Sequence, residues 1–142
     1  MTYNNPWLYE DKVFDSEHLE KLSDIIGFVY LITCIKTNKK YIGKKNFYAK
    51  KIIQKNLKKK KVKIESDWKL YYGSSEELQE EVKKVGADKF CRRILYLCKS
   101  KGEMNYKELK EQVMRDVLLK DDYWNSYIGG RIHRRHLNSL KI

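Results

Sequence analysis

The chain has no Cys-x-x-Cys pair, no internal repeat, no apolar stretch long enough to cross a bilayer, and too few acids to balance its bases. Each shortage removes a class of protein. Cys34, Cys91 and Cys98 are odd in number, unpaired by spacing and set in apolar runs, which fits buried reduced thiols and argues against disulfides or a cysteine zinc site. The longest apolar stretch, Ile25 to Ile35, is interrupted by Gly27 and Thr33 and falls short of the roughly 20 residues of a membrane helix. After Met1 come Thr2, Tyr3, Asn4 and Asn5 in place of a basic and then apolar leader, so a cytoplasmic protein is expected. No heptad or large apolar face specifies a dimer, so a monomer is favoured.

Acidic residues number 19 against 31 Lys and Arg, and the formal charge of +12 attracts polyanions, which makes nucleic acid the expected partner and a membrane surface a discounted one. The 142 residues, 42% hydrophobic and 13% aromatic, suffice for the core of one domain, and the 35% that are charged give it a solvated exterior. Residues 1–24, with the only proline, Pro6, mix aromatics with acids and read as a packed N-terminal arm. Residues 25–128 hold the domain, and residues 129–142, with Arg131, Arg134 and Arg135 and no acid, read as a basic tail. His133 and His136 lack a nearby cysteine or carboxylate to complete a zinc set, so DNA contact is the preferred reading of the tail.

Gly27 to Ile35 is β-branched and aromatic, Lys36-Thr37-Asn38-Lys39 supplies turn chemistry, and Lys40 to Phe47 resumes a strand, predicting a β-hairpin. Residues 50–63 carry Lys50, Lys51, Lys55, Lys58, Lys59, Lys60, Lys61 and Lys63 without an acid and are expected as a solvated loop. Such a run either keeps a protein soluble or tracks phosphates, and the missing acids favour the second. Ser74 with Glu77 caps a helix through Leu78, Val82 and Val85, Phe90 to Cys98 makes a third strand, and Asn105 with Glu108 caps a helix through Leu109, Val113 and Val117. The expected fold is α/β (α+β), a small three-stranded mixed or antiparallel sheet flanked by helices in the order β-β-α-β-α.

Tyr30 and Tyr41 lie eleven positions apart in the hairpin. A loop from Ile35 to Asn38 pairs Cys34 with Lys39 and sets Tyr41 opposite Ile32, so both phenols share a face across a diagonal of roughly 7–8 Å. A register slip of one residue sends them to opposite faces. Gly73-Ser74-Ser75 at a helix start is either an anion cradle, with Ser74 and Ser75 on a DNA phosphate, or a plain cap. Trp68, Tyr71 and Tyr72 read as core.

Gly27-Phe28-Val29-Tyr30 followed by Tyr41-Ile42-Gly43 and the strand-helix order beyond resembles the GIY-YIG nuclease superfamily. Tyr41 to Lys45, Asp67-Trp68-Lys69-Leu70-Tyr71-Tyr72-Gly73-Ser74-Ser75 and the Arg92 to Lys101 segment are similar to freestanding homing-type endonucleases of large tailed phages. The likeness runs over about residues 25–137. It implies hydrolysis of phosphodiester bonds in double-stranded DNA with one Mg²⁺ or Mn²⁺ per site, inside a bacterial host cell. In that superfamily a hairpin tyrosine acts on the attacking water, a helix glutamate holds the metal ion, and cations neutralise the scissile phosphate.

Carried onto matching positions, the resemblance makes Tyr30 the general base, which needs nearby cations to lower a phenol pKa of about 10. Tyr41 then hydrogen-bonds the phosphate or the water, Lys44 and Lys45 supply charge, Glu108 holds the metal with Glu111 as runner-up, and Asn125 orders the site. Glu108 is equally explained as a helix cap, and on a wheel centred on Leu109, Val113 and Val117 both glutamates point away from the buried stripe. The chain departs from many superfamily members in having no arginine across residues 44–63, which leaves the phosphate to Lys44 or Lys45, or to an incoming Arg92, Arg93 or Arg131. The rival class is a non-catalytic nucleic-acid-binding protein, for which charge and scattered aromatics suffice.

Overall fold

The computed structural model describes residues 5–129 and 132–134. Strands β1 (Trp7–Tyr9) and β2 (Lys12–Phe14) open the fold, joined by Glu10 and Asp11, both left-handed with φ of 52° and 65° as a two-residue hairpin turn requires. Asp15 caps a short helix α1 (Ser16–Glu20). The long hairpin follows as β3 (Gly27–Cys34) and β4 (Lys40–Asn46), in the register expected, with Ile32 opposite Tyr41 and the Cys34 N–H bonded to the Lys39 carbonyl at 2.8 Å. A lysine-rich ribbon, β5 (Tyr48–Lys55) and β6 (Lys58–Glu65), comes next. Helix α2 (Glu76–Val85), strand β7 (Phe90–Cys98), helix α3 (Lys101–Met114) and the small pair β8 (Tyr127–Ile128) and β9 (Ile132–His133) complete the order.

The main sheet has five strands in the order β2-β1-β7-β3-β4, which corrects the three-stranded expectation. It is mixed, because β1 runs parallel to β7 while the other pairs are antiparallel. The two added strands come from the segment read as an N-terminal arm, and Trp7 within it is fully buried. Residues 50–63 are likewise a paired ribbon rather than a loop, though a solvated one as expected.

Alternation along β3 divides the core into two layers. Phe28, Tyr30, Ile32 and Cys34 meet Trp7, Phe47, Trp68 and Leu78 on one face. Val29 meets Ile42, Cys98, Met104, Val117 and Leu118 on the other, under α3. The register between β3 and β7 shifts between Val29 and Tyr30, where Leu95 is the extra residue of a bulge. Bulges re-aim side chains, and this one lies beside the first motif tyrosine.

Both helix starts differ from the sequence reading. Ser75 caps α2, its hydroxyl accepting from the Leu78 N–H at 3.3 Å, which leaves Ser74 outside the helix. Ser100 caps α3 by accepting from the Glu103 N–H at 3.1 Å, so Asn105 and Glu108 lie a turn inside the helix. The inward residues of α3 are Met104, Glu108, Glu111 and Gln112, while Leu109 and Val113 are 36% and 53% exposed. The buried stripe is thus rotated onto the glutamates.

Candidate active site

Strand β4 is the outermost strand beside β3, and the candidate residues gather around it. Tyr30 pairs with Gly43, so its ring lies across a position without a side chain; a Cβ there would stand 2.5 Å from Tyr30 Cζ and 3.0 Å from Tyr41 Cε2. The Tyr30 and Tyr41 rings pack with centroids 6.2 Å apart, and Tyr71 meets Tyr30 edge-on at 6.0 Å. Tyr30 is only 1% exposed, whereas Tyr41 is half-buried and its hydroxyl hydrogen-bonds that of Ser74 at 2.8 Å.

Glu108 approaches from the α3 face, with β4 between it and the phenols. Its carboxylate is largely enclosed, and Lys44 stands 3.8 Å away while also donating to the Asn105 side-chain carbonyl. Burial raises the Glu108 pKa and Lys44 only partly offsets it. Glu111 is spent elsewhere, accepting from the Tyr96 hydroxyl at 3.0 Å and pairing with Arg115 at 3.1 Å. Lys45 projects to the tyrosine face, pairs with Asp67 at 2.6 Å and lies 4.2 Å from the centre of the Tyr71 ring.

Burial holds the Tyr30 pKa well above 10, and Tyr71, Tyr41 and Glu108 push it further in the same direction. Tyr41 is also raised, first by burial, against which the Ser74 bond acts. The lysines expected to favour a Tyr30 phenolate are each engaged elsewhere, Lys44 with Glu108 and Lys45 with Asp67, and neither lowers the Tyr30 pKa in this arrangement.

Asn125 is buried and grips the middle of the motif strand. Its side-chain oxygen accepts from the Ile42 N–H at 3.0 Å and its amide donates to the Ile42 carbonyl at 2.8 Å. Gln112, also buried, donates to the same carbonyl at 3.4 Å. Together they satisfy the outer edge of β4 between Tyr41 and Gly43.

A cleft of about 590 Å³ beside this strand is lined by Lys44, Lys45, Asn46, Lys50, Lys101 and Asn105. A second, of about 470 Å³, takes Tyr41, Ser74, Ser75, Trp124 and Ser126. Lys50, Lys51, Lys55, Lys58, Lys59, Lys60, Lys61 and Lys63 all lie on the exposed ribbon, Lys50 at its junction with the first cleft.

Other sequence candidates are placed away from the site. Arg92 is fully buried, stacked between Trp7 at 4.6 Å and Tyr72 at 4.2 Å, and donates to the Tyr71 carbonyl at 2.7 Å, so it is a strut of the core. Arg93 pairs with Asp11 at the surface. Arg134, read as a DNA contact, donates to the carbonyls of Val117, Lys120, Tyr123 and Asn125 at 2.8–3.2 Å, and its fork is occupied by main chain. Arg131 and Arg135 lie outside the described residues, as does His136. Cys34, Cys91 and Cys98 are free thiols, and no cluster of three or more His, Cys, Asp or Glu occurs among the described residues. No described helix is long and apolar enough to cross a membrane.

Sequence reasoning missed Tyr71, Asp67, Asn105 and Gln112. The first two stand inside the Asp67 to Ser75 block that carries the resemblance; Asn105 and Gln112 share a helical face with Glu108, a signal hidden while the helix start was misplaced.

A paired-tyrosine hairpin at the sheet edge, with a buried asparagine bonded to its outer strand and a helix glutamate on the far face, is the arrangement expected of a GIY-YIG domain. The chain matches, over residues 7–128, the family described as "Putative endonuclease segE, GIY-YIG domain", and it belongs to that family. No curated protein and no solved structure matches it.

Proposed function

We propose that this protein is a metal-dependent endonuclease that hydrolyses phosphodiester bonds in double-stranded DNA, of the homing type carried by large tailed phages. The observation that carries the reading is that one strand holds both halves of the site: Tyr30 and Tyr41 meet over Gly43 on one face of β4, and Lys44 meets Glu108 on the other, beside a cleft lined by Lys44, Lys45, Lys50 and Lys101.

Glu108 fits a single Mg²⁺ or Mn²⁺. It is a hard oxygen donor, enclosed and under-compensated by Lys44 at 3.8 Å, and Mg²⁺ commonly takes one or two carboxylates and keeps waters for the rest. A bound ion supplies Lewis-acid polarisation of a phosphoryl oxygen. The protein's own groups do the remainder. Tyr30 is the candidate general base: it takes the attacking water's proton as the phenolate, a state that burial disfavours and that a cation bound beside it would have to restore, while solvent returns a proton to the leaving alkoxide. Tyr41, tied to Ser74, orients the phosphate at the rim of the second cleft. Lys44 and Lys45 bring one point charge from each face of β4 in place of an arginine fork. Asn125 and Gln112 hold the strand against displacement, which matters because a misplacement of about 1 Å can cost about a hundredfold in rate.

One such site in a monomer nicks one strand at a time. The test is cleavage of supercoiled plasmid and phage genomic DNA with Mg²⁺, Mn²⁺ or EDTA, comparing wild type with Tyr30→Phe and Glu108→Ala. Metal-dependent nicking lost in both variants is expected. DNA binding by gel shift with no cutting under either metal would make the protein a non-catalytic binder with the same fold.

A further inference from the structure

The ribbon β5–β6 pairs only with itself, and stability does not explain its composition. Opposed residues share a face, so the pairing of Lys50 with Lys63, Ile52 with Lys61 and Gln54 with Lys59 places four lysines on one side. Lys51, Lys55, Lys58 and Lys60 fall on the other. A ribbon that lies flat on a phosphate surface needs one cationic face. Cations on both faces fit a slot with phosphate walls on either side, which is a duplex groove; the major groove is wide enough for a two-stranded ribbon, and ribbon-bearing proteins use either groove. Eight residues per strand at about 3.3 Å each reach roughly 26 Å.

The tip of the ribbon is the second observation. Asn56 and Leu57 form its two-residue turn with φ of 52° and 65°. Such a turn favours glycine at the second position, where a left-handed leucine is strained. Leu57 is nevertheless there, 93% exposed and outside both core clusters. An apolar side chain at the end of a cationic ribbon is placed as minor-groove proteins place the wedges that part neighbouring base pairs. Lys50 links the base of the ribbon to the cleft of Lys44 and Lys45, so one basic path joins tip and site.

We propose that the ribbon enters a groove of duplex DNA and that Leu57 inserts between base pairs, unstacking one step and unwinding the substrate near the cleavage site. This rests on the reading of duplex DNA as substrate. Because leucine offers no hydrogen bonds to base edges, the insertion tolerates sequence, and deformability of the step sets its preference.

The test relaxes covalently closed plasmid with a metal-independent topoisomerase in EDTA, with wild-type protein or Leu57→Gly bound at equal occupancy by gel shift. Glycine relieves the left-handed turn and so keeps the ribbon intact. Wild type is expected to shift the topoisomer distribution and Leu57→Gly to lose that shift; substitution of Lys59, Lys60 and Lys61 by Gln should weaken binding itself. No shift by wild type, or an equal shift by Leu57→Gly, overturns the wedge. Cutting in Mg²⁺ without a topoisomer shift removes the wedge and leaves the nuclease; a shift without cutting in either metal does the reverse. Failure to bind plasmid at all overturns both.

Discussion

Replacing Gly43 with alanine adds one methyl group at the most crowded point of the site. Gly43 is not among the positive-φ glycines, so the cost comes from packing alone. The new Cβ would sit 2.5 Å from Tyr30 Cζ, closer still to the hydroxyl oxygen, and 3.0 Å from Tyr41 Cε2. Tyr30 cannot retreat, because Trp7, Phe28 and Tyr71 surround its ring at 5.2, 5.9 and 6.0 Å. Overpacking of this kind costs about 1–3 kcal/mol. At roughly 2–4 °C per kcal/mol for a chain near this size, Tm falls by roughly 2–12 °C. Thermal unfolding followed by circular dichroism measures it, with plasmid nicking assayed below the transition, where activity should fall with the displaced phenol. Tyr30→Phe removes the closest atom of the clash but not Cζ, so the double variant should lose less stability than the two single variants' losses combined. A Gly43→Ala protein with unchanged Tm, or strict additivity with Tyr30→Phe, would refute the placement of the phenol over this glycine.

Glu108→Gln should abolish cutting and yet raise Tm at neutral pH. A carboxylate whose folded pKa is raised costs stability once ionised, so the gain appears above the ordinary value of 4.5 and fades below it. Mg²⁺ at tenfold its Kd should stabilise wild type by about 1.4 kcal/mol and leave Glu108→Gln unmoved, read by thermal shift. Asn125→Ala leaves the Ile42 N–H without an acceptor and its carbonyl with Gln112 alone, and should cost about 1–3 kcal/mol, measured by urea unfolding, with nicking reduced even where the fold survives. A raised Tyr30 pKa stabilises below pH 10 and that stability is lost as pH climbs toward the folded value; phenolate absorbance should therefore show no Tyr30 signal before alkaline unfolding, with Tyr30→Phe as the blank. Lys59, Lys60 and Lys61 changed together to Gln should reduce the slope of log K against log salt by about 0.9 for each phosphate that is no longer neutralised.

The hairpin was legible because its turn chemistry and alternation admit one register, and that register alone puts both tyrosines beside Gly43. Other parts were hidden for definable reasons. β1 and β2 have three residues each, too few for alternation to stand out, and the place of β1 beside β7, with β2 on its outer edge, depends on pairing with residues some 85 positions away in sequence. The ribbon carries lysine on both faces, so nothing in it alternates between apolar and polar. α3 misled most. Hydrophobic periodicity assumes that the inward face is apolar, but here it carries Glu108, Glu111 and Gln112, and the apolar Leu109 and Val113 face outward. Polar inward faces are expected where a helix builds a site, so the misread stripe and the candidate residue Glu108 have one cause. The true capping serine, Ser100, was overlooked because Asn105 and Glu108 mimic the same motif five residues on.

The missing arginine has a physical explanation in the same arrangement. Consecutive positions on a strand point to opposite faces, so Lys44 and Lys45 cannot act as one fork. Lys44 goes to Glu108 and Asn105, and Lys45 to Asp67 and Tyr71. An arginine at either place would deliver its charge from one face only, and the buried Arg92 is stacked between Trp7 and Tyr72. Two lysines flanking the edge strand instead place separate, mobile charges on both sides of whatever phosphate lies along β4. Each is held at rest by an acid, Glu108 or Asp67. On the proposed nuclease reading, a phosphate entering along β4 would compete with those pairs, and Glu108, losing Lys44 on the α3 face, would be free to take the divalent cation.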